Sequence, residues 1–207
     1  MLLKSSTQLC PTVVRDYSEW HRGRSDYGLW YLEIDQPELI EYLDQIRADF
    51  SDLLIPANQR QYHITLFVCG FLTSAEKQYN DDFQIQQLQQ QMKQLQNLEL
   101  ASFELEIAQL DSFSSALFLQ VKDMDQILEK IRWQLASVSD EIAALEYCPH
   151  ITLGLYREAW QSDRVLERIQ QLPVKKWKVQ VKQLTFGYYK AQILQGLLYP
   201  YQQIVLG

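Results

Sequence analysis

Apolar residues recur along this chain with two periods, and the changes of period mark out its elements. Residues 27–34 are aromatic and β-branched and predict a strand. Pro37 suits a first helical turn, and Leu39, Ile40, Leu43, Ile46 and Phe50 follow as a helical stripe. Pro56 and Asn58 mark a loop. Residues 62–71 form a dense β-type run. Residues 81–98 predict a helix, with Ile85, Leu88, Met92 and Leu95 on its apolar face and glutamines on the other. Phe103, Leu105 and Ile107 alternate with glutamates, and with 116–121 they predict a hairpin turning at 111–115. Met124, Ile127, Leu128, Ile131 and Leu135 give a further amphipathic helix, and 147–156 a strand with Pro149 near its start. Val165, Leu166, Ile169 and Leu172 give a short helix. Trp177, Val179 and Val181 alternate with polar residues in a strand, and residues 188–199 predict a final one.

The element order is therefore β-α-β-α-β followed by β-α-β-α-β-β, with no Pro/Gly/Ser-rich linker between the halves. This predicts an α+β protein in which residues 1–207 form a single bilobal domain. Two pseudo-equivalent lobes, with antiparallel sheets and outer helices, pack together.

Two tetrapeptides repeat without change: His63-Ile64-Thr65-Leu66 and His150-Ile151-Thr152-Leu153. The chain has 3 histidines, and two of them begin this motif. At average residue usage, each continuation arises by chance with a probability on the order of one in a thousand or less. Side chains two apart on a strand share a face, so each strand presents an imidazole and a hydroxyl on one side and two apolar anchors on the other. If a pseudo-twofold relates the lobes, the two pairs meet across one cleft. One neutral imidazole can then take a proton from a nucleophile while a protonated one gives a proton to a leaving alkoxide. The Thr hydroxyls can donate to non-bridging phosphate oxygens. The expected site is thus His63 and His150 as catalytic groups and Thr65 and Thr152 as phosphate ligands, with a rate optimum at roughly pH 6 to 8 if the imidazoles titrate normally. No metal and no cofactor is expected: two His make a thin ligand set, and HExxH, GxSxG, Walker-type and GxGxxG motifs are absent.

Paired His-φ-[Ser/Thr]-φ motifs (φ apolar), one in each half of a chain this long, resemble the 2H phosphoesterase superfamily, which includes 2′-5′ RNA ligases and cyclic nucleotide phosphodiesterases. The resemblance implies a bilobal fold with a central cleft and chemistry on 2′,3′-cyclic or 2′-linked phosphates. It favours hydrolysis of a cyclic phosphate on a nucleotide or RNA end to a 2′-phosphate. The alternatives are 2′-5′ RNA ligation and a non-catalytic nucleotide- or RNA-binding module.

Strand parity aligns Phe67 with His63 and Tyr156 with His150, so either ring is a candidate base stacker. Trp30 and Tyr31 are consecutive, so one of them faces the cleft. Arg60, Arg157 and Lys190 are candidate phosphate ligands and Tyr188 a candidate hydroxyl, while His21 reads as a loop histidine. A net charge of −7 speaks against long nucleic acid and for a small nucleotide or RNA-end substrate. No apolar stretch approaches the roughly 18 residues that span a bilayer, and the N-terminus does not read as a signal peptide. A monomeric, cytoplasmic protein without a membrane partner is expected. Cys10, Cys69 and Cys148 give no disulfide framework. Cys69 and Cys148, both near the motifs, read as small buried thiols or as a redox pair.

Overall fold

The computed structural model describes residues 2–56, 59–173 and 175–207; Asn58, part of the loop expected after Pro56, lies outside them. Among the described residues five helices and nine strands follow in the order α1 (Ser18–His21), β1 (Asp26–Glu33), α2 (Pro37–Asp49), β2 (His63–Thr73), β3 (Asp82–Gln84), α3 (Ile85–Gln96), β4 (Phe103–Ser112), β5 (Ala116–Lys122), α4 (Ile127–Ala136), β6 (His150–Leu155), α5 (Ser162–Gln171), β7 (Trp177–Val181), β8 (Gln183–Lys190) and β9 (Tyr199–Val205). The expected α+β class holds. The strands form a strongly curled sheet with the path β7-β4-β5-β6-β2-β1-β8-β9, antiparallel throughout except where the short β3 pairs parallel with β2.

The path has two halves, β9-β8-β1-β2 and β7-β4-β5-β6, which meet where β2 pairs with β6. Among the described residues that junction is the one pair Ile64↔Ile151, the equivalent isoleucines of the two motifs. The halves correspond residue by residue: Tyr31 lies opposite Thr65 as Phe118 lies opposite Thr152, and Glu33 opposite His63 as Gln120 opposite His150. Two strands cross between the halves: β4, the last of the first β-α-β-α-β unit, pairs with β5, and β8, which follows the second unit, pairs with β1. One core, contributed by Leu39, Leu43, Leu88, Leu95, Leu128, Ile131, Val165 and Ile169 from four helices, lies against Ile64, Leu66, Ile151 and Leu153 of the central strands. Burying such side chains contributes about 1.5–3 kcal/mol each and fixes which face of β2 and β6 turns inward.

Several expectations need correction. The expected strand over 188–199 is two strands, β8 and β9, joined by a loop that contains Gln195 and Gly196. The helix expected from residue 81 begins at Ile85, because 82–84 pair with β2 first. Gln84 and Gln87 then cap it reciprocally. The strand expected from 147 begins at His150. Helix α4 starts at Ile127, leaving Met124 77% exposed outside its apolar stripe.

Candidate active site

Ile64 and Ile151 are fully buried in the core, so their neighbours His63, Thr65, His150 and Thr152 turn to the opposite, cleft-side face of the sheet, where all four are half-buried. Extending the Ile64↔Ile151 register by one residue each way sets His63 across from Thr152 and Thr65 across from His150. The tetrad is thus a crossed square of two imidazoles and two hydroxyls.

Each imidazole is held the same way. His63 Nδ1 lies 2.8 Å from the Gln61 carbonyl and His150 Nδ1 2.7 Å from the Cys148 carbonyl, in each case two residues upstream. A carbonyl only accepts, so Nδ1 carries the hydrogen, and Nε2 is left for other chemistry. Aromatic edges brace the rings: Tyr31 lies 5.9 Å from His63, and Phe113 and Phe118 lie 5.0 and 5.2 Å from His150. Burial pushes the His63 imidazolium down to about 4, with Arg60 and His150 lowering it further against the Gln61 carbonyl. Burial lowers His150 too, opposed by the Cys148 carbonyl.

Two cavities flank Thr65. One, of about 190 Å³, is lined by Arg60, Gln61, His63, Thr65, Thr152, Leu155 and Gln195. The other, of about 480 Å³, is lined by Thr65 and His150 together with Phe113, Tyr147, Leu145 and residues of the loop before β6. Arg60 lies 3.9 Å over the Tyr189 ring and donates from Nε to the Gly196 carbonyl. Gln61 holds the loop beyond it with both ends of its amide, which bond the backbone of Leu198.

Phe67 and Tyr156 do not reach this face. Opposite Trp30 and Tyr31, β2 places Phe67 and Thr65, so Leu66 is an extra residue. Opposite Leu117 and Phe118, β6 places Gly154 and Thr152, so Leu153 is its counterpart. Each motif therefore ends in a β-bulge, which reverses strand parity beyond it. Phe67 is 1% exposed in the core, and Tyr156 is fully buried with its hydroxyl 2.6 Å from Ser112 Oγ. Val68 and Leu155 take the cleft positions instead, each lining one cavity. Tyr31 is the cleft-side member of its pair. Trp30 sits in the core and donates from Nε1 to Gln91 at 2.8 Å.

The other candidates lie elsewhere. Arg157 is exposed beside Glu158 at 3.5 Å. Lys190 is bound to Asp26 at 2.6 Å, and Tyr188 stacks on Tyr199 at 5.5 Å. None of the three lines either cavity; Tyr189, one residue on, carries Arg60. His21 is buried and bound to Asp16 at 2.7 Å, and it lines neither cavity. Cys69 is buried against Gln91 on the core face while Cys148 lines the larger cavity, so the two are not a redox pair. Burial raises both thiols. Gln61, Gln195, Phe113 and Tyr147 were not singled out in the sequence. The signal for two of them was there: Gln61 stands two residues before its His, as Cys148 does, and Tyr147 three before, as Arg60 does.

The fold has clear counterparts. E. coli LigT complexed with 3′-AMP superposes with a TM-score of 0.61 at 15% identity, over 89% of this chain and 99% of LigT. TT0787 of Thermus thermophilus gives 0.56 at 12%, over 87% and 97%. Kluyveromyces marxianus Usb1 gives 0.54 at 9%, over 81% and 98%. No curated protein matches the chain. At these identities the likeness establishes a LigT-like fold. The family model described as the 2′-5′ RNA ligase superfamily matches residues 35–192, and the chain belongs to that superfamily of 2H phosphoesterases.

Proposed function

We propose that this chain hydrolyses 2′,3′-cyclic phosphates of nucleotides or RNA ends by acid–base catalysis between His63 and His150, releasing a 2′-phosphate. The observation that carries the reading is the matched pair of imidazoles on one face, each with Nδ1 occupied by a carbonyl and each lining a cavity together with a threonine. A neutral Nε2 takes the proton of a water as its oxygen bonds phosphorus. The P–O3′ bond breaks, and the other ring, as imidazolium, gives its Nε2 proton to O3′. Thr65 and Thr152 donate to the non-bridging oxygens, where charge accumulates. The LigT structures, with 3′-AMP, ATP or phosphate bound, support a nucleotide or phosphate ligand for a cleft of this fold.

Hydrolysis of adenosine 2′,3′-cyclic phosphate tests the reading. Activity is expected to survive EDTA. His63→Ala and His150→Ala should each lose about 10²- to 10⁴-fold in kcat, with a double variant little worse than the weaker single one. Thr65→Ala and Thr152→Ala should lose less, and Arg157→Ala should remain near wild type. A folded His63→Ala or His150→Ala protein with near-normal turnover would sink the two-histidine mechanism. Joining of nicked RNA with cyclic phosphate ends, without hydrolysis, would move the reading to ligation.

A further inference from the structure

The pseudo-symmetry of the tetrad does not extend to its flanks. Three residues before the histidine, the smaller cavity has Arg60 and the larger has Tyr147. In the smaller cavity a cation rests on an aromatic ring, Arg60 on Tyr189 at 3.9 Å. In the larger, Arg132 likewise rests on the Tyr147 ring at 3.8 Å and is paired with Glu141 at 2.7 Å. The smaller cavity also holds Gln195, which is 8% exposed and whose carboxamide bonds none of the described residues. Its φ of +54° is a left-handed backbone for a residue with a side chain, a strain tolerated where a side chain must be aimed. The larger cavity has an aromatic wall: Phe113 stacks on Phe118 at 4.2 Å and 25°, so its ring is fixed before any ligand arrives, and Leu145 forms an 86% exposed lip.

Size separates the two as well. Pockets that enclose a nucleoside-sized ligand run from about 300 to 1,000 Å³. The 480 Å³ cavity falls in that range and the 190 Å³ cavity does not.

We propose that the cleft takes its substrate in one orientation, with the nucleoside on the Phe113–Leu145 side beside His150, and with only phosphate oxygens and the attacking water on the Arg60–Gln195 side beside His63. The proposal rests on the two-histidine reading for its chemistry but not for its binding geometry. In-line displacement at phosphorus puts the attacking and leaving oxygens on opposite sides. The leaving oxygen belongs to the ribose and therefore lies toward His150. His63 takes the proton from water as the new O–P bond forms, and His150 gives its proton to the ribose oxygen as the old P–O bond breaks. A cleft with nucleoside room on one side favours hydrolysis over the joining of two nucleoside-bearing ends.

The test is calorimetric binding of two probes, adenosine 2′-monophosphate and inorganic phosphate, to the wild type and to Leu145→Ala, Phe113→Leu and Gln195→Ala. The wild type should bind the nucleotide at least about fivefold more tightly than phosphate, the low end of what stacking a base on an aromatic ring contributes. Phe113→Leu should remove most of that advantage and Leu145→Ala part of it, with phosphate affinity unchanged in Leu145→Ala. Gln195→Ala should weaken both probes by the same factor. Equal affinity of the wild type for the two probes overturns the orientation. So does an unchanged nucleotide affinity in Leu145→Ala, whose exposed site leaves the fold intact, or a loss in Gln195→Ala confined to the nucleotide. Turnover is not needed: the expected binding pattern in a protein that fails to hydrolyse the cyclic nucleotide would end the proposed activity and leave the orientation standing.

Discussion

His63 and His150 are alike in sequence and in their Nδ1 bonds, yet their surroundings differ. His63 shares its cavity with Arg60 and is lowered to about 4, whereas His150 is edged by two phenylalanine rings and is lowered by burial. The pH dependence of kcat/KM reports the free protein. Both of its limbs should therefore fall below the unperturbed histidine value of about 6.5, so that the optimum lies on the acid side of the roughly pH 6 to 8 that normal imidazoles would give. A bound phosphate anion favours both imidazolium forms, so the kcat profile should be displaced upward. Coincident profiles centred above pH 7 would refute this. The same shift bears on stability. Between about pH 6.5 and 4 the unfolded chain protonates residue 63 while the folded chain does not, so stability falls as pH falls through that window. The slope is at most about 1.4 kcal/mol per pH unit from this group. His63→Gln should flatten that part of a denaturation-versus-pH curve, and a curve parallel to wild type would mean that the ring is not desolvated as described.

At the scale of elements, the two bulges and the β8–β9 hairpin decide what faces the cleft. Gly187 lies at the register shift between β8 and β9, beside Tyr31. A Cβ there would sit 2.5 Å from the Tyr199 carbonyl oxygen and 3.0 Å from Tyr31 Cε1, and the first of these is backbone that cannot rotate away. Gly187→Ala should cost about 1–3 kcal/mol by overpacking. Because Tyr31 abuts His63, it should also reduce kcat, measurable beside chemical denaturation; unchanged stability would show that the hairpin yields freely. The elements themselves were largely legible, because stripes such as Leu39-Leu43-Ile46 and alternations such as Phe103-Leu105-Ile107 are bounded by polar positions. The bulges were not. After each Thr the sequence runs apolar, Leu66-Phe67-Val68 and Leu153-Gly154-Leu155, so no polar residue reveals that parity has reversed, and Phe67 and Tyr156 were assigned one position out of phase. The break within the strand expected over 188–199 was hidden for a similar reason, since Ile193 and Leu194 continue its apolar pattern. The tetrad was legible because the repeated motif precedes the bulges. Arg60, Gln61 and Gln195 meet only through folding, across more than a hundred residues of chain.

At the scale of the molecule, the site exists only because two halves share a seam. Among the described residues, β2 and β6 pair through Ile64 and Ile151 alone, whereas β1–β2 and β5–β6 pair along most of their lengths. Each isoleucine is fully buried, and each is flanked by the His and Thr of its own motif. Packing at this seam therefore sets the spacing of the two imidazoles. Ile64→Val and Ile151→Val should each cost about 0.5–1.5 kcal/mol, as the loss of one buried methylene does elsewhere. Ile131→Val, in α4 and equally buried, should cost about the same and serves as the control. The stability costs should not distinguish the three variants, but catalysis should: both seam variants should lower kcat, since small misplacements of positioned groups are costly, while Ile131→Val should not. Because the two seam residues are direct partners, their effects in the double variant should also be coupled by about 0.5 kcal/mol or more in a double-mutant cycle on stability. Equal kcat in the seam variants and the control, with additive stabilities, would show that the relative placement of His63 and His150 is fixed elsewhere, through the crossing strands β4 and β8.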